Sequence, residues 1–246
     1  MSSVFADHLL KSWITGEPLG LIKKVIQRYR ILSPGENFVV GVSGGVDSFT
    51  MLLLLDAYNR KFQLNWEIIP SFVDGGFPGT NLKKIVQTFS RYGFKIKVLK
   101  ENIYPKLKKN KKNICFLCTR GRRKALVEEA VRNYSFKVAF AHHKEDVVEA
   151  LFLNLIYNRE FATMVPDQTI LQGRIHIIRP LYFYDKVLIK KIADFLKFHP
   201  VSYTCPFRRF SRRMSIRRFL DREASGRTQI DNIFYGMKNI RWTYLP

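Results

Sequence analysis

The feature that most constrains the fold is a fourfold alternation of strand and helix patterns between residues 37 and 157. The first strand pattern (NFVVGV) is a short β-branched run of the kind found in parallel strands covered on both faces. The predicted strands are Asn37–Val42, Trp66–Val73, Phe94–Leu99 and Lys137–Ala141, and the predicted helices are Ser48–Asn59, Asn81–Tyr92, Thr119–Arg132 and Glu145–Tyr157. This alternation predicts an α/β protein with a doubly wound parallel sheet.

The segments around this alternation carry weaker patterns. Leu19–Tyr29 has the apolar spacing of a short basic helix, and Lys106–Asn113 is predicted to be a lysine-rich loop. Pro70 suggests that the second strand is irregular or lies near an edge of the sheet. Past the alternation, Ile170–Ile178 is predicted to form a hairpin and Lys186–Lys197 an amphipathic helix.

The net charge indicates the kind of partner. Forty-two Lys and Arg residues against twenty Asp and Glu give a formal charge of +22 in 246 residues. The excess is concentrated in Tyr104–Lys124, with nine basic residues and no acid, and in Pro206–Arg227, with eight arginines and two acids. Clustered charge of this size predicts a nucleic acid partner rather than an anionic membrane.

Composition excludes several other classes. No apolar run approaches the roughly 20 residues that cross a bilayer, and the first 20 residues lack the apolar core of a signal peptide. Three cysteines are an odd number, which argues against a disulfide framework and for a reducing compartment. We therefore expect a soluble cytoplasmic protein.

A glycine turn, Ser43–Ser48 (SGGVDS), lies between the first predicted strand and its helix. Glycines let the backbone approach a ligand closely, and amides at a helix N-terminus bind phosphate. Neither the Walker pattern nor G-x-G-x-x-G is present, so a P-loop NTPase or a dinucleotide enzyme is not supported. An ordinary strand-to-helix turn is the alternative interpretation.

The hexamer as a whole resembles the pyrophosphate loop (SGGxDS) of the PP-loop ATP pyrophosphatases, which have a Rossmann-like fold and adenylate their substrates. The resemblance implies that ATP with Mg²⁺ binds at Ser43, Gly44, Gly45, Asp47 and Ser48, with Val73, Ala141 and His142 completing the site. Some thiolation members of the family carry Lys where this chain has Val46, which leaves Lys144 or an arginine to supply that charge.

Two cysteines form a C-x-x-C motif at the start of a helix, Cys115 and Cys118, and Cys205 stands alone 87 residues later. The basic surroundings are expected to stabilise thiolates. Three thiolates do not close a structural zinc site, but they suit an iron–sulfur cluster with one open iron, or a catalytic pair with a helper. His142, His143 or His176 could add a fourth ligand, although the first two follow a strand and are expected to face the nucleotide.

The segments CFLCTRGRRK, AHHKEDVVEALFLNLIYN and IRPL, together with the third cysteine, make the chain similar to the tRNA 2-thiocytidine synthetase branch of the PP-loop proteins. The resemblance implies a 4Fe–4S cluster on Cys115, Cys118 and Cys205, and catalytic roles for Cys115, Cys118, Asp47 and Asp146. Two departures stand out: Arg208 replaces a further cysteine, and Glu145 replaces the first of two aspartates, which alters the geometry of an acid or Mg²⁺ ligand. Glu145 and Asp146 are otherwise first-turn acids that favour the helix dipole.

We expect tRNA to bind to two sets of arginines. One set follows the C-x-x-C motif, and the other shares one side of a helix from Phe207: Arg120, Arg122, Arg123, Arg208, Arg209, Arg212 and Arg213. The predicted organisation is a basic helical segment in residues 1–35, a PP-loop catalytic domain in 36–205 and an arginine-rich RNA-binding tail in 206–246.

The predicted function is ATP-dependent 2-thiolation of a tRNA pyrimidine through an adenylated base. The sulfur donor, a persulfide carrier or free sulfide, stays open, as does a homodimer. The alternatives are an iron–sulfur thiouracil or thionucleoside desulfidase, a non-catalytic iron–sulfur RNA-binding protein, and a ligase of the lysidine type.

Overall fold

The computed structural model describes residues 13–109, 113–201, 205–207, 212–224 and 226–244. Its centre is a six-stranded sheet in the order β3-β2-β1-β4-β6-β5, in which β5 is antiparallel to β6 and every other pairing is parallel. The strands are β1 (Asn37–Val42), β2 (Glu67–Asp74), β3 (Lys97–Lys100), β4 (Lys137–Ala139), β5 (Asp167–Ile170) and β6 (Ile175–Ile178). The predicted α/β doubly wound sheet and the hairpin are confirmed.

Nine α-helices lie in the described residues: α1 (Glu17–Tyr29), α2 (Val46–Phe62), α3 (Leu82–Ser90), α4 (Ile103–Lys108), α5 (Ile114–Arg132), α6 (Lys144–Asn158), α7 (Lys186–Phe195), α8 (Arg212–Glu223) and α9 (Arg227–Gly236). Short 3₁₀ turns occupy Trp13–Thr15 and Trp242–Tyr244. Helix α4 corrects the predicted loop over Lys106–Asn113, of which 110–112 lie outside the described residues. It forms because Ile103 and Leu107, one turn apart, are both buried.

The edge position suggested by Pro70 is wrong, because β2 lies between β1 and β3. Pro70 is aligned with Val40 of β1, but the pairing of β2 with β3 begins only at Ser71. The proline therefore precedes the part of the strand that is paired on both sides, where a missing amide is tolerated.

The C-terminal helices pack against the same core as the sheet. Ile216 and Leu220 of α8 and Ile230 and Phe234 of α9 are buried in the main hydrophobic cluster with residues of α1, α2 and α7. A second cluster lies around α4 and α5, where Cys118, Cys205 and Phe207 pack against its edge. The described part of 206–246 is thus joined to the sheet domain by apolar contacts.

None of the helices in the described parts of the chain is long and apolar enough to cross a membrane.

The chain order reverses between β1 and β4, since β2 and β3 lie on one side of β1 and β4 on the other. In open α/β sheets, ligands bind outside the carboxyl ends of the strands at such a switch point. The turn Ser43–Ser48 follows β1 and therefore lies at this point.

Candidate active site

The glycine turn forms a compact loop that is held by its own two serines. Ser48 Oγ accepts a hydrogen bond from Ser43 N at 3.0 Å and donates to Gly45 O at 3.1 Å, while the two hydroxyl oxygens are 3.1 Å apart. Helix α2 begins at Val46, and no described side chain caps it. Its first amides can therefore serve an anion, as a phosphate-binding helix N-terminus requires.

Gly44 shows why this loop needs glycine. Its φ of +84° lies in the left-handed region, and a Cβ there would stand 2.5 Å from the carbonyl oxygen of Val201. The backbones are also bonded, since Val201 N donates to Gly44 O at 3.0 Å. This bond ties the glycine turn to Val201, which precedes Cys205 by four positions in the sequence.

Asp47 lies in the first turn of α2 among other charged groups. Burial raises the pKa of Asp47, and the neighbouring charge of Asp146 adds to that effect, while His143, Lys186 and Arg217 act in the opposite direction. Asp47, the predicted ATP-site aspartate, and Asp146, the predicted acid of α6, therefore lie close enough for their charges to interact.

His143 is buried and lies between two carboxylates at the start of α6. Its Nδ1 is 2.8 Å from Glu145 Oε2 and its Nε2 is 3.4 Å from Asp146 Oδ2. Burial by itself lowers the pKa of His143, but the hydrogen bond with Glu145 and the charges of Asp146 and Glu145 outweigh it and raise the pKa. The two carboxylates therefore stabilise the charged form of this imidazole relative to that of a free histidine.

Glu145 uses both of its carboxylate oxygens in structural contacts. One oxygen contacts His143, and the other accepts a hydrogen bond from Lys186 N at the start of α7 at 2.8 Å. Burial raises its pKa, but these contacts lower it overall. The longer arm of glutamate at this position thus joins the first turns of two helices.

His142 follows β4 and stacks on Phe140, with ring centroids 5.7 Å apart. Burial lowers the pKa of His142 to about 3, so the ring is neutral. Among the described residues its Nδ1 has no hydrogen-bond partner. An unpaired buried nitrogen at the carboxyl edge of the sheet is the kind of atom that a ligand would satisfy.

Two arginines of α8 clamp two buried acids of α6. Arg217 donates to Glu149 from Nε at 2.5 Å and from Nη2 at 3.0 Å, and Arg213 Nε donates to Glu149 at 3.0 Å. Arg213 Nη2 also lies 3.3 Å from Asp146 Oδ1, and burial, which raises the pKa of Asp146, is outweighed by His143 and Arg213, which lower it. Sequence reasoning missed Glu149 and Arg217, since nothing local marks a glutamate on an apolar helix as the partner of arginines 64 and 68 residues away.

This clamp revises the predicted arginine face. Arg208 and Arg209 lie outside the described residues, and α8 is described from Arg212 onward. Arg212 is exposed, with its guanidinium 4.5 Å from the centre of the Tyr157 ring, whereas Arg213 turns inward to the acids. Arg212 therefore lies on the surface of α8, whereas Arg213 contacts the acids of α6.

Lys144 has a carboxylate partner in the structure. It is buried, and its Nζ lies 2.5 Å from Asp231 Oδ1 of α9. Lys186 and Arg217 are cations that act to lower the pKa of Asp47, but Arg217 is itself bonded to Glu149. The cation that compensates for Val46 stays a prediction.

The three thiols come from two parts of the chain and lie within electrostatic range of one another. Cys115 and Cys118 are in the first turn of α5, and the charge of Cys118 is coupled to both Cys115 and Cys205. Cys115 is exposed and the other two are half-buried, and all three are unpaired. Burial raises the pKa of Cys118 more than Arg122 lowers it, so the expected stabilisation of its thiolate is wrong for the free thiol.

The donor set fits an iron–sulfur cluster in kind and number. Three thiols supply three ligands and leave one iron open, and Arg122 beside Cys118 offsets the negative charge of thiolates. Within the described ranges, no three His, Cys, Asp or Glu side chains converge on a ready-made metal site. His176 pairs instead with Asp167, at 2.9 Å across the β5–β6 hairpin.

The remaining predicted ATP contacts lie at the carboxyl edge of the sheet. Val73 is the penultimate residue of β2 and is buried, and Ala141 follows β4 and is half-buried. They stand on either side of β1, whose end carries the loop. The fold thus brings Ser43–Ser48, Val73, Ala141 and His142 to one edge.

A sequence model of the PP-loop domain matches residues 21–222. The chain belongs to the PP-loop family. The family implies the use of ATP, and the match extends beyond Cys205 and through most of α8.

Relatives within the PP-loop family carry the name tRNA-cytidine(32) 2-sulfurtransferase. The protein from Alcanivorax borkumensis is 31% identical over 226 residues, covering 88% of this chain and 78% of the relative. The protein from Acaryochloris marina is 29% identical over 234 residues, covering 92% of this chain and 82% of the relative. The expected similarity to the tRNA 2-thiocytidine synthetase branch is confirmed.

A solved PP-loop structure supports the fold. The U34-tRNA thiolase of Methanococcus maripaludis, determined with its [4Fe–4S] cluster, superposes with a TM-score of 0.73 at 21% identity. The match covers 95% of this chain and 81% of the thiolase.

Proposed function

We propose that this protein is an ATP-dependent tRNA sulfurtransferase that replaces the C2 oxygen of a pyrimidine by sulfur. The observation that carries the proposal is the SGGVDS turn, which lies after β1 at the switch point of the sheet and opens a helix that no described side chain caps. Activation by ATP needs such a phosphate site, and Cys115 and Cys118 at the start of α5 offer thiols for the sulfur step. The 2-sulfurtransferase names of the relatives support the same reaction.

In the proposed reaction the C2 oxygen of the base attacks the α-phosphorus of ATP, and pyrophosphate leaves with the electron pair of the broken P–O bond. A carbonyl oxygen is a poor leaving group, whereas the resulting adenylate oxygen leaves readily as AMP. Sulfur then forms a bond to C2 and AMP departs. Free sulfide can supply that sulfur directly. With a persulfide carrier, the outer sulfur bonds to C2, and a thiol then attacks the carrier sulfur, donating two electrons and forming a disulfide as the S–S bond to the C2-bound sulfur breaks.

The residues around the loop would hold and neutralise ATP. Ser43–Ser48 presents backbone amides at the start of α2, where pyrophosphate is favoured by the helix dipole. Asp47 would hold Mg²⁺ on the phosphates, which would return its raised pKa toward the ordinary range. Asp146, with Arg213 on its other side, would orient His143, and the unpaired Nδ1 of His142 would contact the nucleotide.

Cys115, Cys118 and Cys205 would hold the 4Fe–4S cluster. When bound, such a cluster supplies a thiophilic iron with one open coordination position for sulfur. The role of the chain is to present three thiolates. The charge of Arg122 acts to lower the pKa of Cys118, which favours the thiolate that a cluster requires.

The tRNA would contact the arginines of α5 and the exposed arginine of α8. These are Arg120, Arg122 and Arg123, which follow the C-x-x-C motif, and Arg212. Arg213 is assigned to the clamp on α6, and Arg208 and Arg209 remain sequence predictions. A tRNA substrate also leads us to propose a cytoplasmic location.

The test is a thiolation assay with protein purified without oxygen. The wild type is incubated with tRNA transcript, ATP, Mg²⁺ and sulfide, and the digested nucleosides are analysed by mass spectrometry. We expect 2-thiolated pyrimidine together with pyrophosphate. Asp47→Asn should lose both products while the visible absorption of the cluster stays unchanged. Thiolation that proceeds without ATP, or unaltered pyrophosphate release by Asp47→Asn, would overturn the assignment.

A further inference from the structure

A pocket of about 300 Å³ lies between α4 and α5, outside the ATP site. Its apolar part comes from one side of each helix, and three cations and one acid stand around it. The lining residues are Glu101, Asn102, Ile103, Lys106, Leu107, Leu117, Arg120, Gly121 and Lys124. This volume is at the small end for ligand pockets and suits a single base rather than an extended ligand.

The pocket is fixed to the edge of the sheet that carries the phosphate-binding loop. Glu101 N donates to Asp74 O and Tyr104 N donates to Gly75 O, both at 2.8 Å, so the start of α4 is bonded to the end of β2. β3, which leads into α4, is two strands away from β1. The pocket is therefore anchored near the carboxyl end of β2, and none of its lining residues belongs to the predicted ATP site.

Helix α5 contributes a single face to the pocket and carries thiols on the adjoining face. Leu117, Arg120, Gly121 and Lys124 follow the helical spacing of three and four residues, and Cys118 is next to the first of them. Gly121 lets α4 approach closely, because a Cβ there would stand 3.2 Å from the side chain of Ile103. The pocket is therefore built against the helix that holds Cys115 and Cys118.

The chemistry of the lining selects the ligand. Leu107, Leu117 and Ile103 offer an apolar surface to the face of a base, while Arg120 and Lys124 of the same lining offer cations to a phosphate. Lys124 also lies 3.3 Å from Glu128 of its own helix. Proteins recognise RNA chiefly through unpaired bases that are splayed out and packed in this way.

We propose that this nucleotide pocket holds an unpaired nucleotide of the tRNA that neighbours the base undergoing thiolation. Because its lining residues are separate from those of the predicted ATP site, the nucleotide held here is distinct from the one that reacts with ATP. Binding of the neighbouring nucleotide against α5 would hold the RNA strand beside Cys115 and Cys118. The reacting base would then be free to enter the adenylation site. The proposal rests on the proposed function, since it takes tRNA as the substrate.

Two charge-matched variants test the nucleotide pocket. Leu117→Glu places a carboxylate in it, and Thr119→Glu places the same charge on an exposed position of α5 outside it. The full-length cluster-bound protein is titrated into labelled tRNA transcript by filter binding at several salt concentrations. We expect Leu117→Glu to bind about tenfold or more weakly than Thr119→Glu, which corresponds to the loss of one base contact. The two variants should show the same dependence of tRNA affinity on salt concentration, because both add one negative charge to α5.

Arg120→Ala provides an independent second variant, because the residue is exposed and its change leaves the apolar part intact. It should lower the salt slope of tRNA binding by about one. Equal affinities for Leu117→Glu and Thr119→Glu, with a wild-type slope for Arg120→Ala, would overturn the pocket assignment. If cytidine monophosphate alone binds there while tRNA affinity is unchanged in all variants, the pocket is a free-nucleotide site and the RNA assignment fails.

The proposed function is checked on the same samples. A wild type that thiolates tRNA while Leu117→Glu keeps full tRNA affinity refutes the pocket alone. A wild type that neither binds nor thiolates tRNA refutes the proposed function itself.

Discussion

Removal of Arg217 should destabilise the protein through a buried carboxylate on another helix. The Glu149 side chain is 3% exposed and takes three hydrogen bonds, two of them from Arg217 at 2.5 and 3.0 Å. In Arg217→Ala the buried carboxylate of Glu149 keeps its hydrogen bond from Arg213, but its other oxygen loses the donor that Arg217 supplies. The predicted result is a lower free energy of unfolding.

The magnitude follows from the geometry. Loss of one partner of a fully buried ion pair costs about 3–5 kcal/mol. Because the Arg217 side chain is 31% exposed and Arg213 still bonds Glu149, we expect a lower value, about 2–3 kcal/mol. For a chain of this size, 1 kcal/mol shifts the melting temperature by about 2–4 °C, so Arg217→Ala should melt about 4–12 °C lower.

The neighbouring arginine provides the control. Arg218 is exposed, and its Nε lies 3.4 Å from Met214 O of its own helix. Arg218→Ala removes the same group and charge but should change stability by no more than about 0.5 kcal/mol. Thermal unfolding of both variants is followed by calorimetry in one buffer. Melting temperatures that agree within about 2 °C would refute the clamp as a stabilising contact.

Two further changes test other parts of the site. Cys205→Ser should lower bound iron and abolish thiolation, because a three-thiolate site tolerates no loss; full iron content and activity would remove Cys205 from the ligand set. His142→Phe should flatten the acid side of the stability curve. Since the folded pKa of His142 is about 3, its stabilising effect is present above the unfolded value of about 6.5 and is lost as pH falls toward 3. Urea unfolding at about pH 7.5 and about pH 5 should show a smaller loss in the variant, and equal losses would contradict the reasoning.

The sequence alone determines the layers of the fold and the position of the glycine turn after β1. Strand and helix periodicity are properties of neighbouring residues, so β1, α2 and the turn between them could be predicted. The spacing of Cys115 and Cys118 is likewise local. Helix α4 was missed, because two buried apolar residues in a lysine-rich stretch are a weak signal.

Only the tertiary structure decides which charges and backbones meet. Val201 reaches Gly44, Lys144 pairs with Asp231, and Arg217 reaches Glu149 over 68 residues, and none of these partners is marked by local spacing. The same holds for the pKa of Cys118, which packing raises although its sequence neighbours are basic. Periodicity is set by neighbours along the chain, whereas burial and ion pairing depend on how distant helices pack together.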